Sequence, residues 1–235
     1  MIRFLITVIA ALSLTSALQA SESVNKANLL NKMVEAYGGE KALSDAKSYI
    51  QNWKVVRAAD KKEGSERRRV TLPERLYVDL RYPDKEEIRA LEGNVGVKIF
   101  DRHSKKQVFG PMLDAMKAQL MRLYTPLNLK ESIESLKVAS KDGFYVIYLL
   151  KNGVECDYYV NPKNYHIEKT VGRLKMGNTT MEFVTLYDDF KRVGGVLFPG
   201  KEVKYAGGVN TATNTLIKSK IVHIRRVGEH KYESI

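Results

Sequence analysis

The stretch Glu74-Arg75-Leu76-Tyr77-Val78-Asp79-Leu80-Arg81-Tyr82 alternates strictly, with Leu76, Val78, Leu80 and Tyr82 on one face and Arg75, Tyr77, Asp79 and Arg81 on the other. Successive side chains of an extended chain point to opposite sides, so this is a strand with one buried and one wet face. Just before it, Pro73 closes off a second strand-like run over 66–72. Just after it, Glu92-Gly93-Asn94 separates 87–91 from 95–101. Connections this short join antiparallel neighbours. The period-two pattern starts at Tyr49, where Tyr49, Trp53 and Val55 share a face.

Further strands are predicted over 144–150, 154–160, 165–171, 180–190, 201–206 and 215–227. Turns at Lys151-Asn152-Gly153, Asn161-Pro162, Met176-Gly177-Asn178, Gly194-Gly195 and Gly207-Gly208 punctuate them. Such even spacing indicates a meander and excludes alternating βαβ units. Helical spacing appears in few places. Val24, Ala27, Leu30, Val34 and Tyr37 recur three or four apart, and Gly38-Gly39 ends that helix before a short restart at Glu40. Met112, Leu113, Met116, Leu120 and Leu123 form a second stripe, opened by Pro111 and stopped by Pro126, and a shorter helical patch is expected over 129–136. Strands apolar on both sides need cover on each face. The expected fold is mainly β (α+β): a strongly curved antiparallel sheet, an incomplete β-barrel, enclosing the N-terminal helix and an inserted helical lid.

The first residues bear on location. Arg3, the apolar run 4–14 and the exit Leu18-Gln19-Ala20 read as a secretory signal peptide cleaved near Ala20, the alternative being an uncleaved N-terminal helix. The run is too short and too interrupted to span a bilayer. That divides the 235 residues into a signal peptide, 1–20, and a single domain, 21–235. The formal charge is +12, and loss of Arg3 leaves +11. Export argues against a nucleic-acid partner and leaves anionic lipid, lipopolysaccharide or an acidic protein. The single Cys156 cannot form a bridge within its own chain. It reads as a small buried apolar residue rather than a reactive thiol.

The segments Glu35-Ala36-Tyr37-Gly38-Gly39-Glu40-Lys41-Ala42-Leu43, 49–56, and Tyr187-Asp188-Asp189-Phe190-Lys191-Arg192-Val193-Gly194-Gly195-Val196-Leu197-Phe198-Pro199 resemble those of the outer-membrane lipoprotein-sorting (LolA/LolB-like) superfamily. The order of elements agrees over nearly the whole chain after residue 20. The resemblance implies an incomplete β-barrel wrapped round helices, with an apolar hollow that takes acyl chains of lipoproteins or lipids. The chain is longer than the lipoprotein carrier, and none of the carrier's functional side chains transfers to a particular position here.

Catalytic signatures are missing: no G-x-S-x-G, H-E-x-x-H, C-x-x-C or P-loop occurs. His103, His166, His223 and His230 are scattered without metal-ligand spacing, so neither a metal nor a cofactor is expected. Asp188-Asp189 and Glu86-Glu87 are adjacent pairs whose carboxylates point to opposite faces of a strand. The chain is therefore read as non-enzymatic. Its adaptable apolar residues suggest the site. Met112, Met116 and Leu120 belong either to a core helix or to a lid that moves, with unbranched methionines able to repack round variable chains. Trp53, Val55, Leu76, Val78 and Leu80 are expected to line the hollow from the sheet, the alternative for Trp53 being simple core packing. Arg67 and Arg69, in the basic group Arg67-Arg68-Arg69, are either solvated or in contact with a headgroup.

The leading function is a periplasmic carrier or chaperone for a lipid, an acyl chain or a lipoprotein. An envelope membrane protein is a further candidate partner. The rival is a periplasmic protein-interaction or envelope-stress sensor module on the same fold.

Overall fold

A computed structural model describes residues 24–100 and 104–223. The expected signal peptide, His103 and His230 lie outside the described residues. Two helices come first, α1 (Lys26–Ala36) and α2 (Glu40–Asp45). Asn25 caps α1 by accepting the Asn28 N–H at 3.0 Å. Six strands follow: β1 (Ser48–Arg57), β2 (Glu63–Thr71), β3 (Arg75–Tyr82), β4 (Lys85–Glu92), β5 (Val95–Phe100) and β6 (Ser104–Val108). The helical insert is α3 (Gly110–Met121) and α4 (Pro126–Glu131). Strands β7 (Leu136–Lys141), β8 (Phe144–Lys151), β9 (Val154–Val160), β10 (Ile167–Met176) and β11 (Thr179–Asp188) then return. The short hairpin β12 (Lys191–Val193) and β13 (Val196–Phe198) precedes β14 (Lys201–Ala206) and β15 (Val209–Ile221).

Thirteen strands make one antiparallel sheet in the order β6-β5-β4-β3-β2-β1-β15-β14-β11-β10-β9-β8-β7, and β12 pairs with β13 apart from it. The β1–β15 ladder joins the N-terminal and C-terminal meanders, with a register shift between Asn52 and Trp53. The sheet does not close, its edges being β6 and β7. This is the expected curved, incomplete barrel. Its concave side covers Leu29, Leu30, Met33 and Val34 of α1 and Met116, Ala118, Leu120 and Met121 of α3, all in one apolar cluster with β8 and β9. No described helix is long and apolar enough to cross a membrane.

The two segments that carried the family resemblance meet in space. Leu197 N–H donates to Tyr37 O at 3.0 Å, and a Cβ on Gly38 would stand 2.3 Å from Gly195 O. At φ +119° Gly38 turns α1 into α2 where a side chain has neither room nor a comfortable backbone.

Two expectations change in detail, and strand β6 stands where none is expected. The helical patch expected over 129–136 starts earlier, at Pro126, because Thr125 and Asn128 form a capping box and proline suits the first turn. It gives way to a 3₁₀ turn, Ile133–Ser135, and to β7. Strand β6 is polar and mostly exposed at the sheet edge, so it lacks an apolar alternation. Strand β15 resumes at Val209 directly after the two-residue turn Gly207-Gly208, both at positive φ, instead of at 215.

Candidate functional site

Between α3 and the concave face lies a hollow of about 620 Å³. The sheet register decides what looks into it. Arg68 of β2 stands opposite Gln51 of β1 and Val78 of β3, so Glu66, Arg68 and Val70 share the concave face. Arg67 and Arg69 lie on the convex face and are exposed. The same alternation turns Glu87 and Arg89 of β4, Glu202 and Lys204 of β14, and Asn214 of β15 inward.

The floor of the hollow is thus ionic. Arg68, 2% exposed, donates from Nε to Glu66 at 2.8 Å and from Nη1 and Nη2 to the two Glu202 oxygens at 2.9 and 3.0 Å. Lys204 Nζ reaches Glu66 at 3.2 Å and Glu202 at 3.4 Å. Two cations and two carboxylates balance one another, which is what lets them be buried. Burial by itself would raise the Glu66 and Glu202 pKa values, but Arg68 and then Lys204 hold both carboxyls below the ordinary range. A second pair, Arg89 with Glu87, is joined to α3 through Gln119, which accepts from Arg89 Nε at 3.1 Å.

Of the eight apolar residues expected in the cavity, Val55, Leu80, Met112 and Met116 line this hollow. Trp53 is 1% exposed, its ring 5.2 Å from the Arg68 guanidinium, and Leu76, Val78 and Leu120 are buried in the interior. Sequence reasoning missed Glu66, Arg68, Glu87, Arg89, Glu202 and Lys204. The available signal was the alternation of β2, which separates Arg68 from its two basic neighbours.

Helix α3 is held at its C-terminal end. Tyr158 OH donates to Met121 O at 2.7 Å, and Tyr187 OH donates to Arg122 O at 3.0 Å while contacting Thr170 Oγ1 at 3.0 Å. The Tyr187 hydroxyl satisfies a carbonyl that the helix end leaves open, and the Tyr158 hydroxyl gives the Met121 carbonyl a second donor beside the Tyr124 N–H at 3.0 Å. The other end is looser: Phe109 is 68% and Met112 44% exposed. Arg122, just past the helix, is partly buried beside Phe183. A narrow crevice of about 60 Å³, lined in part by Arg68, Arg122, Tyr187 and Glu202, continues from the hollow under the C-terminal end of α3.

Chemistry of other kinds finds little support among the described residues. No group of three or more His, Cys, Asp or Glu side chains is placed to hold a metal ion. His166 packs between Tyr37 and Phe190, with ring centroids 6.0 and 4.7 Å away, and burial lowers its pKa. Cys156 is fully buried on the concave side of β9, and burial pushes its thiol up to about 12, so it is inert as a nucleophile near neutrality.

On the convex face a groove of about 320 Å³ is floored by Tyr77, Val97 and Ile99 and edged by Arg69 and Arg75. The Arg69 guanidinium lies 4.9 Å from the Tyr77 ring centroid.

No protein-family profile matches the sequence, and no curated protein is similar to it. Among solved structures, a domain described as an outer membrane lipoprotein-sorting protein from Vibrio parahaemolyticus is 8% identical over 88% of this chain and 96% of its own, with a TM-score of 0.49. A LolA superfamily protein from Nitrosomonas europaea is 14% identical over 86% of this chain and 96% of its own, with a TM-score of 0.54. At that identity the likeness speaks for architecture, and the open antiparallel sheet enclosing helices is the LolA-like fold.

Proposed function

We propose that this chain is an exported, periplasmic, non-enzymatic carrier that holds a lipid, or the acyl chain of a lipidated polypeptide, in the hollow between α3 and the concave sheet. On this reading residues 1–20 are a leader removed near Ala20, and 21–235 form the single carrier domain. The observation that carries the reading is the hollow itself. At about 620 Å³ it is in the size range of ligand sites, and Val55, Leu80, Met112 and Met116 give it apolar wall. The LolA-like fold, which the chain shares with the LolA superfamily protein of Nitrosomonas europaea, supports the same assignment. Each methylene taken from water into such a wall contributes about 0.8 kcal/mol, so chain burial supplies most of the affinity.

Arg67 and Arg69 are assigned to headgroup contact at a membrane surface. They project from the convex face, away from the hollow, and Arg69 edges the apolar groove. The same groove favours the second reading, a periplasmic module whose convex face docks an envelope protein.

Purification of the chain without detergent, followed by denaturing extraction and mass spectrometry, tests the proposal. A lipid or acylated peptide in near-equal molar amount is the expected result. A chain that emerges empty, and whose melting temperature no phospholipid, fatty acid or lipopeptide raises, overturns the carrier reading in favour of the docking module.

A further inference from the structure

The charges lining the hollow are unevenly matched. Six cationic side chains and three carboxylates face it. Arg57, Arg68, Lys85, Arg89 and Lys204 are each in ion-pair contact with a carboxylate. Arg122 makes no such contact among the described residues. Its donors reach only Ala118 O at 3.3 Å and Thr185 Oγ1 at 3.4 Å. A guanidinium keeps its proton, so its charge stays in the wall and cannot be relieved by deprotonation. A partly buried cation without a counter-charge is costly unless something anionic completes it.

A second observation, independent of charge, concerns Asn214. It is 0% exposed, lines the same hollow, and stands opposite Glu202 in the β14–β15 ladder. Neither its Nδ2 nor its Oδ1 has a hydrogen-bond partner within the protein. Buried amides are seldom left so, and this one offers both a donor and an acceptor.

The hollow runs along α3, lined by Met112, Ala115 and Met116 toward one end and by Leu123 and Phe183 beside Arg122 at the other. Met112 lies at the exposed end of α3 and Arg122 just past its anchored end, about 15 Å apart at the helical rise. The alignment suits a ligand with an anionic head and an apolar tail lying along the helix.

We propose that the occupant of the hollow is an anionic glycerophospholipid bound head inward, with its phosphate paired to Arg122, a headgroup hydroxyl or ester bonded to Asn214, and its chain leaving past Met112 and Phe109. This rests on the carrier reading above and names its ligand class. Free phosphate shares the head chemistry, so the test separates the two sources.

Isothermal titration of the purified protein is carried out with lysophosphatidylglycerol, with a monoacylglycerol of the same chain, both below their micelle concentrations, and with glycerol phosphate. The anionic amphiphile is expected to bind at least about tenfold more tightly than the neutral one, in line with a charged hydrogen bond, and glycerol phosphate far more weakly than either. Arg122→Met is expected to remove the preference by weakening the anionic ligand, Arg122→Lys to keep part of it, and Asn214→Ala to weaken both amphiphiles, because the monoacylglycerol carries the same ester and hydroxyls. Equal affinity of the wild-type chain for the two amphiphiles overturns the head-inward assignment and leaves the carrier reading standing. The same loss for both ligands in R122M overturns it equally. If R122M does not fold, the wild-type comparison decides. Glycerol phosphate binding as tightly as the lysolipid identifies a free-anion site and overturns both readings, and binding of neither amphiphile overturns the carrier reading itself.

Discussion

Arg68 is the residue on which the hollow is built. It is 2% exposed and holds Glu66 on its own strand and Glu202 on β14. A buried ionic cluster of this kind adds little net stability over well-packed apolar residues, yet removing Arg68 leaves two buried carboxylates to the one cation Lys204. Arg68→Met is therefore expected to lower the unfolding free energy by about 3–5 kcal/mol near neutral pH, measured by urea denaturation. The pH dependence has a definite direction. Glu66 and Glu202 both titrate lower in the folded chain than their ordinary 4.5, so their stabilisation is complete above that pH and is lost progressively as pH falls below it. In R68M only Lys204 stays in contact with the two carboxyls to oppose their burial, and their pKa values rise. The gap between wild type and variant should then shrink on acidification, and a gap that stays constant from neutral to acid pH would sink this account. Little of the network was legible in the sequence. Arg67-Arg68-Arg69 reads as one basic patch, and only the alternation of a strand separates its middle member from its neighbours. Glu202 lies 134 residues away, a separation that no local pattern reports.

Among the elements, α3 has unequal ends. Buried tyrosine hydroxyls from β9 and β11 hold the carbonyls of Met121 and Arg122, whereas Phe109 and Met112 at the other end are exposed. The helix also sits close against the sheet. A Cβ on Gly172 would come 3.4 Å from Ala118 Cβ, and one on Gly96 would come 2.9 Å from Leu113 Cδ1. The double variant Tyr158→Phe with Tyr187→Phe leaves the Arg122 carbonyl without a donor and takes one of two donors from the Met121 carbonyl, which keeps the Tyr124 N–H, and about 2 kcal/mol of stability should be lost. Hydrogen exchange should speed up across α3 while α1 keeps its protection. Uniform acceleration of both helices would instead mean that the hydroxyls support the whole fold. The helices and most strands were readable because their buried faces impose a period: α1 through Leu30 and Val34, β3 through Leu76 and Val78. Strands β6 and β7 escaped because edge strands are short and mostly exposed, so no apolar face marks them.

In the whole molecule, the two open edges of the sheet are the strands that flank the helical insert. The chain leaves β6, passes through α3 and α4, and re-enters the sheet at β7, so the insert bridges the gap that keeps the barrel from closing. Concave and convex faces then divide the work. The hollow presents six cations to three carboxylates, whereas the convex face carries Arg67, with Arg69 and Arg75 edging an apolar groove. A chain of formal charge +12 should bind vesicles rich in anionic phospholipid at low ionic strength. The Debye length shrinks from about 10 Å at 0.1 M to about 3 Å at 1 M, so added salt should release it. The convex-face assignment makes a sharper demand. Each basic side chain near an anionic surface contributes about 1 kcal/mol, so Arg67→Gln with Arg69→Gln should weaken vesicle binding by about 2 kcal/mol, roughly thirtyfold. Because both side chains face away from the hollow, the same variant should leave the affinity for lysophosphatidylglycerol unchanged in calorimetry. Vesicle binding that ignores both substitutions would move headgroup contact to another surface. Loss of lysolipid binding together with vesicle binding would mean that the two faces are coupled through β2, the strand that carries Arg67 and Arg69 on one side and Arg68 on the other.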